Sequence, residues 1–388
     1  MIDRKLRIGV AGLGRAFSVM VPTFAADPRV ALVAAADPRE AARKRFTADF
    51  GGTAYARVED LCADPAVEVV YVATPHQFHA AHAALAARHG KHLLIEKPLA
   101  LTLEDCDSIV AAANRAGVHL VVGHSHSFDA PILRVRELIA GGAFGPVRMI
   151  TALNYTDYLY RPRRPEELDT SQGGGAVFNQ AAHQVDIARL IGGGRVASVR
   201  ALTGAWDTAR PTEGAYAALL TFADGAFASL SYSGYGRFDS DEFSDWIGEM
   251  GLPKSPYAGA PRAHFASRDE EGVYKAARNY GGPNYRPPAA GTAHQHFGTV
   301  IVSCAEADLR PLPTGVMIHQ DGAARLDPLP PPKVPRAEVI DEVYRAVVDG
   351  APPLHDGPWA AATVEVLLAM LRSAREGREI MLTRQIGL

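Results

Sequence analysis

The stretch Leu6-Arg7-Ile8-Gly9-Val10-Ala11-Gly12-Leu13-Gly14-Arg15-Ala16-Phe17 decides the fold of the first part of the chain. Leu6 to Val10 is typical of a buried strand, and a glycine turn follows it directly. Glycines at positions 12 and 14 permit a tight turn and let the backbone approach a pyrophosphate at the N-terminus of the next helix. Phe17 stands where a third glycine is usual. Because such a turn alone is a weak indication of a ligand, its context decides the interpretation.

Short strands alternate with alanine-rich helices up to residue 123. Predicted strands are Leu6 to Val10, Val30 to Ala35, Val67 to Ala73, Leu93 to Glu96 and Leu120 to Val122, and predicted helices include Arg39 to Phe50 and His79 to His89. This alternation is typical of parallel strands joined by crossover helices. We therefore predict an α/β Rossmann domain, a doubly wound parallel sheet, over residues 1–123.

Longer strands follow each other without intervening helices after Gly123. They are Val147 to Tyr155, Tyr216 to Phe222 and Ala226 to Tyr235, and Asp224-Gly225 between the last two is a strong hairpin signal. This pattern predicts an α+β domain over residues 124–388 with a large, mostly antiparallel sheet. The proline-rich and glycine-rich stretches 252–292 and 326–335 are predicted as loops, and a closing helix is predicted over Trp359 to Glu376.

Composition excludes several classes of partner. A formal net charge of −3 and a pI near 6.5 provide no broad basic field, so we expect no nucleic-acid partner. The three cysteines, Cys62, Cys106 and Cys304, are widely spaced and do not suggest a disulfide framework, which favours a reducing compartment. The first residues lead into a strand rather than a signal peptide, and no run of 18 apolar residues occurs. We expect a cytoplasmic protein with no membrane partner.

Asp37 ends the second predicted strand, where an acidic side chain can accept hydrogen bonds from the hydroxyls of an adenosine ribose. The alternative is a helix N-cap before Pro38. An acidic group repels a 2′-phosphate, so NAD is favoured as the cofactor. Arg39 and Arg43 follow closely and keep NADP open.

Two further motifs carry a resemblance to a known family. Residues 73–79 read Ala-Thr-Pro-His-Gln-Phe-His, and residues 90–98 end in Glu96-Lys97-Pro98. Together with Gly173-Gly174-Gly175, His183, Asp186 and the stretch 246–251, they resemble the glucose–fructose oxidoreductase, inositol dehydrogenase and MocA family. The resemblance implies a Rossmann domain followed by an open-faced sheet domain. It also implies a homo-oligomer, a dimer or tetramer associating through those sheets.

The resemblance also implies the chemical centre. It places Lys97 beside the nicotinamide, where a partly desolvated lysine can take up or return the hydroxyl proton; a surface lysine paired with Glu96 is the alternative. His183 would serve as acid, base or hydrogen-bond partner of the substrate, with a core histidine as the alternative. Asn179 stands where the family usually has an aspartate, and an amide can only orient substrate. Asp186 is expected to be structural, and the Lys97-Pro98 bond is expected to be cis.

The predicted cofactor site combines the glycine turn, the acidic residue after the second strand and the two family motifs. Its residues are Gly12, Gly14, Arg15, Ala16, Phe17, Asp37, Thr74, Pro75, His76, His79, Glu96 and Lys97. Histidines at 76, 79, 124, 126, 294 and 296 raise the hypothesis of a metal-assisted lyase or hydrolase. Their spacings include no companion cysteine or acidic residue, and a nicotinamide reaction needs no metal, so we predict no metal site.

Within the family, residues 18–24, 124–129 and 158–164 most resemble the branch that includes phthalate 4,5-cis-dihydrodiol dehydrogenases. The substrate would then be a carboxylated cis-dihydrodiol, held by Tyr158, Arg163, Arg164, His126 and Asn179, since arginine forks suit carboxylates. A solvated basic loop balanced by Glu166 and Glu167 remains an equal alternative for the arginines. Dehydrogenation of a sugar or cyclitol, and a non-catalytic NAD-sensing regulatory role, also stay open.

Overall fold

The computed structural model describes residues 4–256, 265 and 267–388. The chain divides by its internal packing into two compact units. The first unit is Met1–His124, Ala266–Ala290 and Val334–Ala361, and the second is Ser125–Phe265, Gly291–Lys333 and Ala362–Leu388. The sequence prediction placed a boundary after residue 123 and gave everything beyond it to the second domain, whereas two later segments belong to the first unit.

A parallel sheet of six strands forms the centre of the first unit, in the order β3-β2-β1-β4-β5-β6. Its elements are β1 (Leu6–Ala11), α1 (Arg15–Ala26), β2 (Val30–Ala36), α2 (Glu40–Phe50), β3 (Thr53–Tyr55), α3 (Val58–Ala63), β4 (Val69–Val72), α4 (His79–Arg88), β5 (His92–Ile95), α5 (Leu103–Ala116) and β6 (Leu120–Val122). Every residue of β4 is buried, as in a sheet covered on both faces. The strand order reverses between β1 and β4, where doubly wound sheets bind their ligands. The predicted Rossmann fold is confirmed.

The remaining elements, in chain order, are α6 (Ala130–Ala140), β7 (Val147–Tyr155), α7 (Ala182–Ile191), β8 (Val196–Gly204), β9 (Ala215–Phe222), β10 (Phe227–Ser233), α8 (Arg268–Ala277), β11 (Thr299–Cys304), β12 (Asp308–Leu312), β13 (Gly315–Gln320), β14 (Ala323–Pro328), α9 (Ala337–Asp349), α10 (Gly357–Glu376) and β15 (Ile380–Met381). The second unit contains a nine-stranded sheet in the order β14-β13-β12-β11-β7-β10-β9-β8-β15. Only the β7–β10 pairing is parallel. The mostly antiparallel sheet and the hairpin at Asp224-Gly225 are therefore as predicted.

Two predicted loops contain regular structure. Helix α8 lies inside the stretch 252–292, and its signal was present in the sequence: the Ser267 hydroxyl accepts a hydrogen bond from the Glu270 N–H at 3.1 Å, and acidic residues fill the first turn. Residues 257–264 and 266 of that predicted loop lie outside the described residues. Strand β14 ends at Pro328, inside the predicted loop 326–335. A proline is tolerated there because β14 lies at the edge of the sheet, where a missing N–H costs no ladder hydrogen bond.

The closing helix begins where its cap signal predicted. The Asp356 carboxylate accepts a hydrogen bond from the Trp359 N–H at 2.8 Å at the start of α10, and Gly377 follows its end with a φ of 69°. Within residues 4–256, 265 and 267–388, no helix is long and apolar enough to cross a membrane.

Candidate active site

The glycine turn leaves an open helix N-terminus in the first unit. Gly12 has a φ of 93°, and a Cβ there would lie 2.8 Å from the Ala73 carbonyl oxygen, so a side chain is excluded. At Gly14, the N-cap of α1, no described atom lies within 4 Å of the Cβ position. Because the first turn of a helix has N–H groups without intrahelical partners, this open turn fits an anionic pyrophosphate beside Arg15 and Ala16.

Phe17 takes the third glycine position for a packing reason. Its side chain is fully buried, with ring centroids of Phe46 and Phe50 at 6.3 Å and of Tyr280 at 5.0 Å. The Tyr280 ring meets the Phe17 ring edge-on, at 82°. The side chain of Phe17 thus belongs to an aromatic core, while the sequence predicted it as a cofactor residue.

Asp37 is buried against the glycine turn. Its carboxylate accepts a hydrogen bond from the Leu13 N–H at 2.9 Å and forms a two-pronged ion pair with Arg39, both N···O distances being 3.0 Å. Arg43 donates to the backbone carbonyls of Asp37 and Pro38, at 2.8 Å each. The acid and the two arginines weighed for NAD and NADP therefore lie together at the carboxyl end of β2.

Lys97 lies directly after β5 and is half-buried, and the Lys97-Pro98 peptide is cis, as the resemblance implied. The neighbouring Glu96 carboxylate accepts a hydrogen bond from the hydroxyl of the fully buried Tyr71. Burial raises the pKa of Glu96, against the opposing effects of that hydrogen bond and of the Lys97 charge. Glu96 is thereby anchored to β4, which fixes the backbone that carries Lys97.

The His79 side chain contacts both loops that carry the family motifs, the loop after β4 and the loop after β5. Its ring has no exposed surface; Nε2 lies 3.0 Å from the Thr74 carbonyl oxygen, and Nδ1 lies 3.1 Å and 3.2 Å from those of Pro98 and Leu99. Burial lowers the pKa of this imidazole, opposed by the carbonyl contacts. The sequence predicted a cofactor contact for His79, whereas these contacts are with the backbone beside Lys97.

Thr74, Pro75 and His76 line the loop after β4 and are half-buried. The Thr74 hydroxyl lies 3.0 Å from His82 Nδ1, and the His76 ring meets the His79 ring edge-on at 5.6 Å. These residues and the glycine turn follow β4 and β1, the two strands at which the sheet order reverses. Cofactor contacts for this set stay a prediction.

His183 lies on α7 in the second unit and is mostly buried. Its Nδ1 accepts a hydrogen bond from the His126 backbone N–H at 3.4 Å, and the rings of His126 and Phe297 flank it at 4.8 Å. With Nδ1 as an acceptor, the neutral ring carries its proton on Nε2. A contact of this N–H with a substrate oxygen stays a prediction.

Asn179 lies in a π-helical turn, Val177–Ala181, just before α7. Its Nδ2 donates to the carbonyls of Gly173 and Gly175, at 2.9 Å each, so the amide is held against the triple glycine. Asp186 accepts hydrogen bonds from the hydroxyls of Ser127 and Thr363, in agreement with the expected structural role. A substrate contact for Asn179 stays a prediction.

His126 is held between two carboxylates that the sequence analysis did not assign. Its Nδ1 lies 2.6 Å from an Asp129 oxygen, and its Nε2 lies 3.5 Å from a Glu249 oxygen. Burial opposes the charge, but the two carboxylates outweigh it and raise the pKa of His126 to about 8. Both acids lie in stretches that carried the family resemblance, 124–129 and 246–251, and this was the sequence signal by which they could have been assigned to the site. At neutral pH this site thus holds an imidazolium ion against the His183 ring.

The charge on His126 predicts a pH-dependent contribution to stability. The folded pKa of about 8 exceeds the ordinary 6.5, so the contribution is complete below pH 6.5 and is lost as the pH rises through 8. The difference corresponds to about 2 kcal/mol. We expect the loss of unfolding free energy in His126→Gln, measured by urea denaturation, to be larger by this amount at pH 6 than at pH 9. Parallel pH profiles would contradict the assignment, and exposed His319→Gln is the control.

The predicted arginines differ in their surroundings. Arg164 pairs with Glu166 at 3.2 Å and with Glu167 at 3.5 Å, which is the balanced loop left open as the alternative. The Arg163 guanidinium lies 3.7 Å from the ring centroid of the buried Tyr158, and its Nη2 donates to the Tyr158 carbonyl. Arg163 is therefore stacked on an aromatic ring, and a contact of either arginine with a substrate carboxylate stays a prediction.

The later histidines contact backbone. His294 Nε2 lies 2.9 Å from the Pro330 carbonyl oxygen, and His296 Nε2 lies 2.7 Å from that of Ile247. Each of these two imidazoles is thus hydrogen-bonded to a backbone carbonyl within the second unit.

Comparison with known proteins identifies the family of this chain. Residues 6–124 match the family described as an oxidoreductase family with an NAD-binding Rossmann fold, and residues 132–249 match the GFO/IDH/MocA C-terminal domain. The chain is 46% identical over 377 residues, 95% of both chains, to 1-carboxy-3-chloro-3,4-dihydroxycyclohexa-1,5-diene dehydrogenase of Comamonas testosteroni. It is 29% identical over 196 residues, 50% of this chain and 57% of the other, to myo-inositol 2-dehydrogenase of Thermotoga maritima. The crystal structure of a putative dehydrogenase from Bordetella bronchiseptica RB50 superposes with a TM-score of 0.91 at 41% identity, over 97% of this chain and all of the other.

Proposed function

Since the chain belongs to the GFO/IDH/MocA family of NAD-binding oxidoreductases, as its sequence motifs predicted, we propose that it oxidises a carboxylated cis-dihydrodiol with NAD. The observation that carries the substrate class is the likeness, over 95% of both chains, to a dehydrogenase named for a carboxylated ring diene with two hydroxyls. The predicted class, an NAD(P)-dependent dehydrogenase, is confirmed by the family.

The residues described above have distinct tasks in this reaction. The bound NAD would supply the acceptor for the hydride that leaves the carbinol carbon. Lys97 takes the hydroxyl proton, and the Nε2–H of His183 donates a hydrogen bond to a substrate oxygen. The amide of Asn179 neither gains nor loses a proton near neutral pH, so it orients the substrate only. The ketone formed from a dihydrodiol tautomerises to an aromatic catechol, which drives the oxidation without a carboxylate at position 179.

Arg163 is the proposed contact of the substrate carboxylate. Its guanidinium is held on the face of Tyr158, which limits the freedom that it loses when it binds an anion. The charge of His126 is already balanced by the carboxylates of Asp129 and Glu249, so the recognition of a substrate anion rests on Arg163. A neutral sugar or cyclitol has no group that requires this cation.

The test compares a phthalate dihydrodiol, its uncarboxylated analogue and inositol in the natural protein. We expect the carboxylated compound to have the highest kcat/KM, by about 10- to 100-fold, the value of a charge-assisted hydrogen-bonded pair. Arg163→Ala should lose most of this preference. Arg164→Ala is the matched control and should keep it, because Arg164 is already paired with Glu166 and Glu167. Equal efficiency on the uncarboxylated compound would favour the alternative hypothesis, a cyclitol substrate, which the likeness to myo-inositol 2-dehydrogenase supports.

We also propose that the chain forms homo-oligomers through the sheet of the second unit. Large apolar side chains are exposed on one face of this sheet: Leu202 on β8, Leu219 on β9, Phe227 on β10 and Ile301 on β11. Exposed apolar patches of this kind mark interaction surfaces.

A cytoplasmic location stays a proposal that the cysteine content supports.

A further inference from the structure

The segment after residue 266 belongs to the first unit although it follows most of the second in sequence. It also lies outside the residues that match the two family profiles, 6–124 and 132–249. Its described residues, 267–290, are called the strap here. The strap contains α8 and the tyrosines Tyr280 and Tyr285, and it packs against α1 and α2.

Tyr280 anchors the strap to the Rossmann fold. Its side chain is fully buried, its ring packs edge-on against Phe17, and its hydroxyl donates to an Asp49 carboxylate oxygen at 2.7 Å. The next residue, Gly281, has a φ of 75°, and a Cβ there would lie 2.4 Å from the Cα of Ala42 on α2. The strap therefore lies directly on the helix that follows Asp37.

This docking places the Tyr280 carbonyl on Arg39. The Arg39 guanidinium donates to both Asp37 oxygens at 3.0 Å, to the Leu13 carbonyl at 2.8 Å and to the Tyr280 carbonyl at 3.3 Å. These bonds occupy all three guanidinium nitrogens, and the Asp37 carboxylate balances the charge. A ribose 2′-phosphate would have to compete with these acceptors for the guanidinium of Arg39.

We propose that the strap selects the dinucleotide by locking Arg39 onto Asp37, which keeps the ribose pocket suited to a 2′-hydroxyl and closed to a 2′-phosphate. The inference rests on the proposed NAD-dependent function. In Rossmann sites an acidic residue at this position binds the ribose hydroxyl, whereas a nearby arginine accommodates the 2′-phosphate. Both residues are present here, so the restraint on Arg39 decides between them. Phe17 is then explained as well, since its ring completes the surface on which Tyr280 docks.

The experiment releases the strap and measures cofactor binding by fluorescence titration with NADH and NADPH, without any substrate. Gly281→Ala introduces the Cβ that collides with Ala42, and Tyr280→Ala releases the strap by removing its anchor instead. Gly272→Ala is the matched control on α8, because no described atom lies within 4 Å of that Cβ position. We expect the natural protein and Gly272→Ala to prefer NADH. The ratio of the NADPH Kd to the NADH Kd should fall about tenfold in either strap variant.

A second substitution identifies the group that is released. Adding Arg39→Ala to Gly281→Ala should abolish the gain in NADPH binding, because Arg39 is the proposed phosphate ligand. A ratio that stays within about twofold of the natural one in both strap variants overturns the role of the strap. A natural protein that binds neither dinucleotide overturns the NAD-dependent function itself, so the two failures are distinct.

Discussion

Replacing Lys97 by methionine is expected to lower kcat by about two to four orders of magnitude, the range for a positioned acid–base group. Methionine keeps the length of the side chain and removes the amine, so the loss reports the proton transfer. The Kd for NADH should change little, because Lys97 acts on the substrate hydroxyl.

The control for Lys97 is Lys44→Met, on α2, where the lysine is exposed and pairs with Glu40 at 2.7 Å. That variant should turn over normally. The pH profile of kcat/KM supplies a second readout: the limb that reports the base should vanish in Lys97→Met. Normal turnover in Lys97→Met would show that the lysine is structural and would overturn the proposed mechanism.

His183→Ala is expected to lower kcat by about two orders of magnitude, less than the loss at Lys97. Because its Nδ1 accepts the His126 N–H, its Nε2 carries the proton that the proposed hydrogen bond to a substrate oxygen requires. His183→Gln places an amide N–H near the same position and should recover part of the lost activity.

The glutamine variant separates two roles of His183. A residue that only donates a hydrogen bond is partly replaced by an amide, whereas a residue that transfers a proton is not. Activity of His183→Gln as low as that of His183→Ala would therefore assign proton transfer to the histidine. A kcat for His183→Ala within a fewfold of the natural value would contradict any contact with the reacting oxygen. His319→Gln, on the exposed part of β13, is the control for loss of a histidine.

Local patterns predicted much of the fold. The strands around the glycine turn, the hairpin at Asp224-Gly225 and the start of α10 depend on residues within a few positions of each other, and all three are in the structure. The predictions failed where composition suggested a loop. The prolines and glycines around α8 led to a loop prediction although Ser267 is a helix N-cap residue. Pro328 is compatible with β14 only because that strand lies at the edge of the sheet.

The sequence by itself determined the family, the order of the motifs and the residue types that carry the chemistry, because those depend on local spacing. Only the tertiary structure decided their partners. Arg39 meets the Tyr280 carbonyl across 241 positions, and His126 meets Glu249 across more than a hundred. Such pairs form because packing brings distant segments together, and no local propensity encodes them. The same contacts decide whether an arginine is held on a carboxylate or available to a phosphate, and whether a histidine is charged.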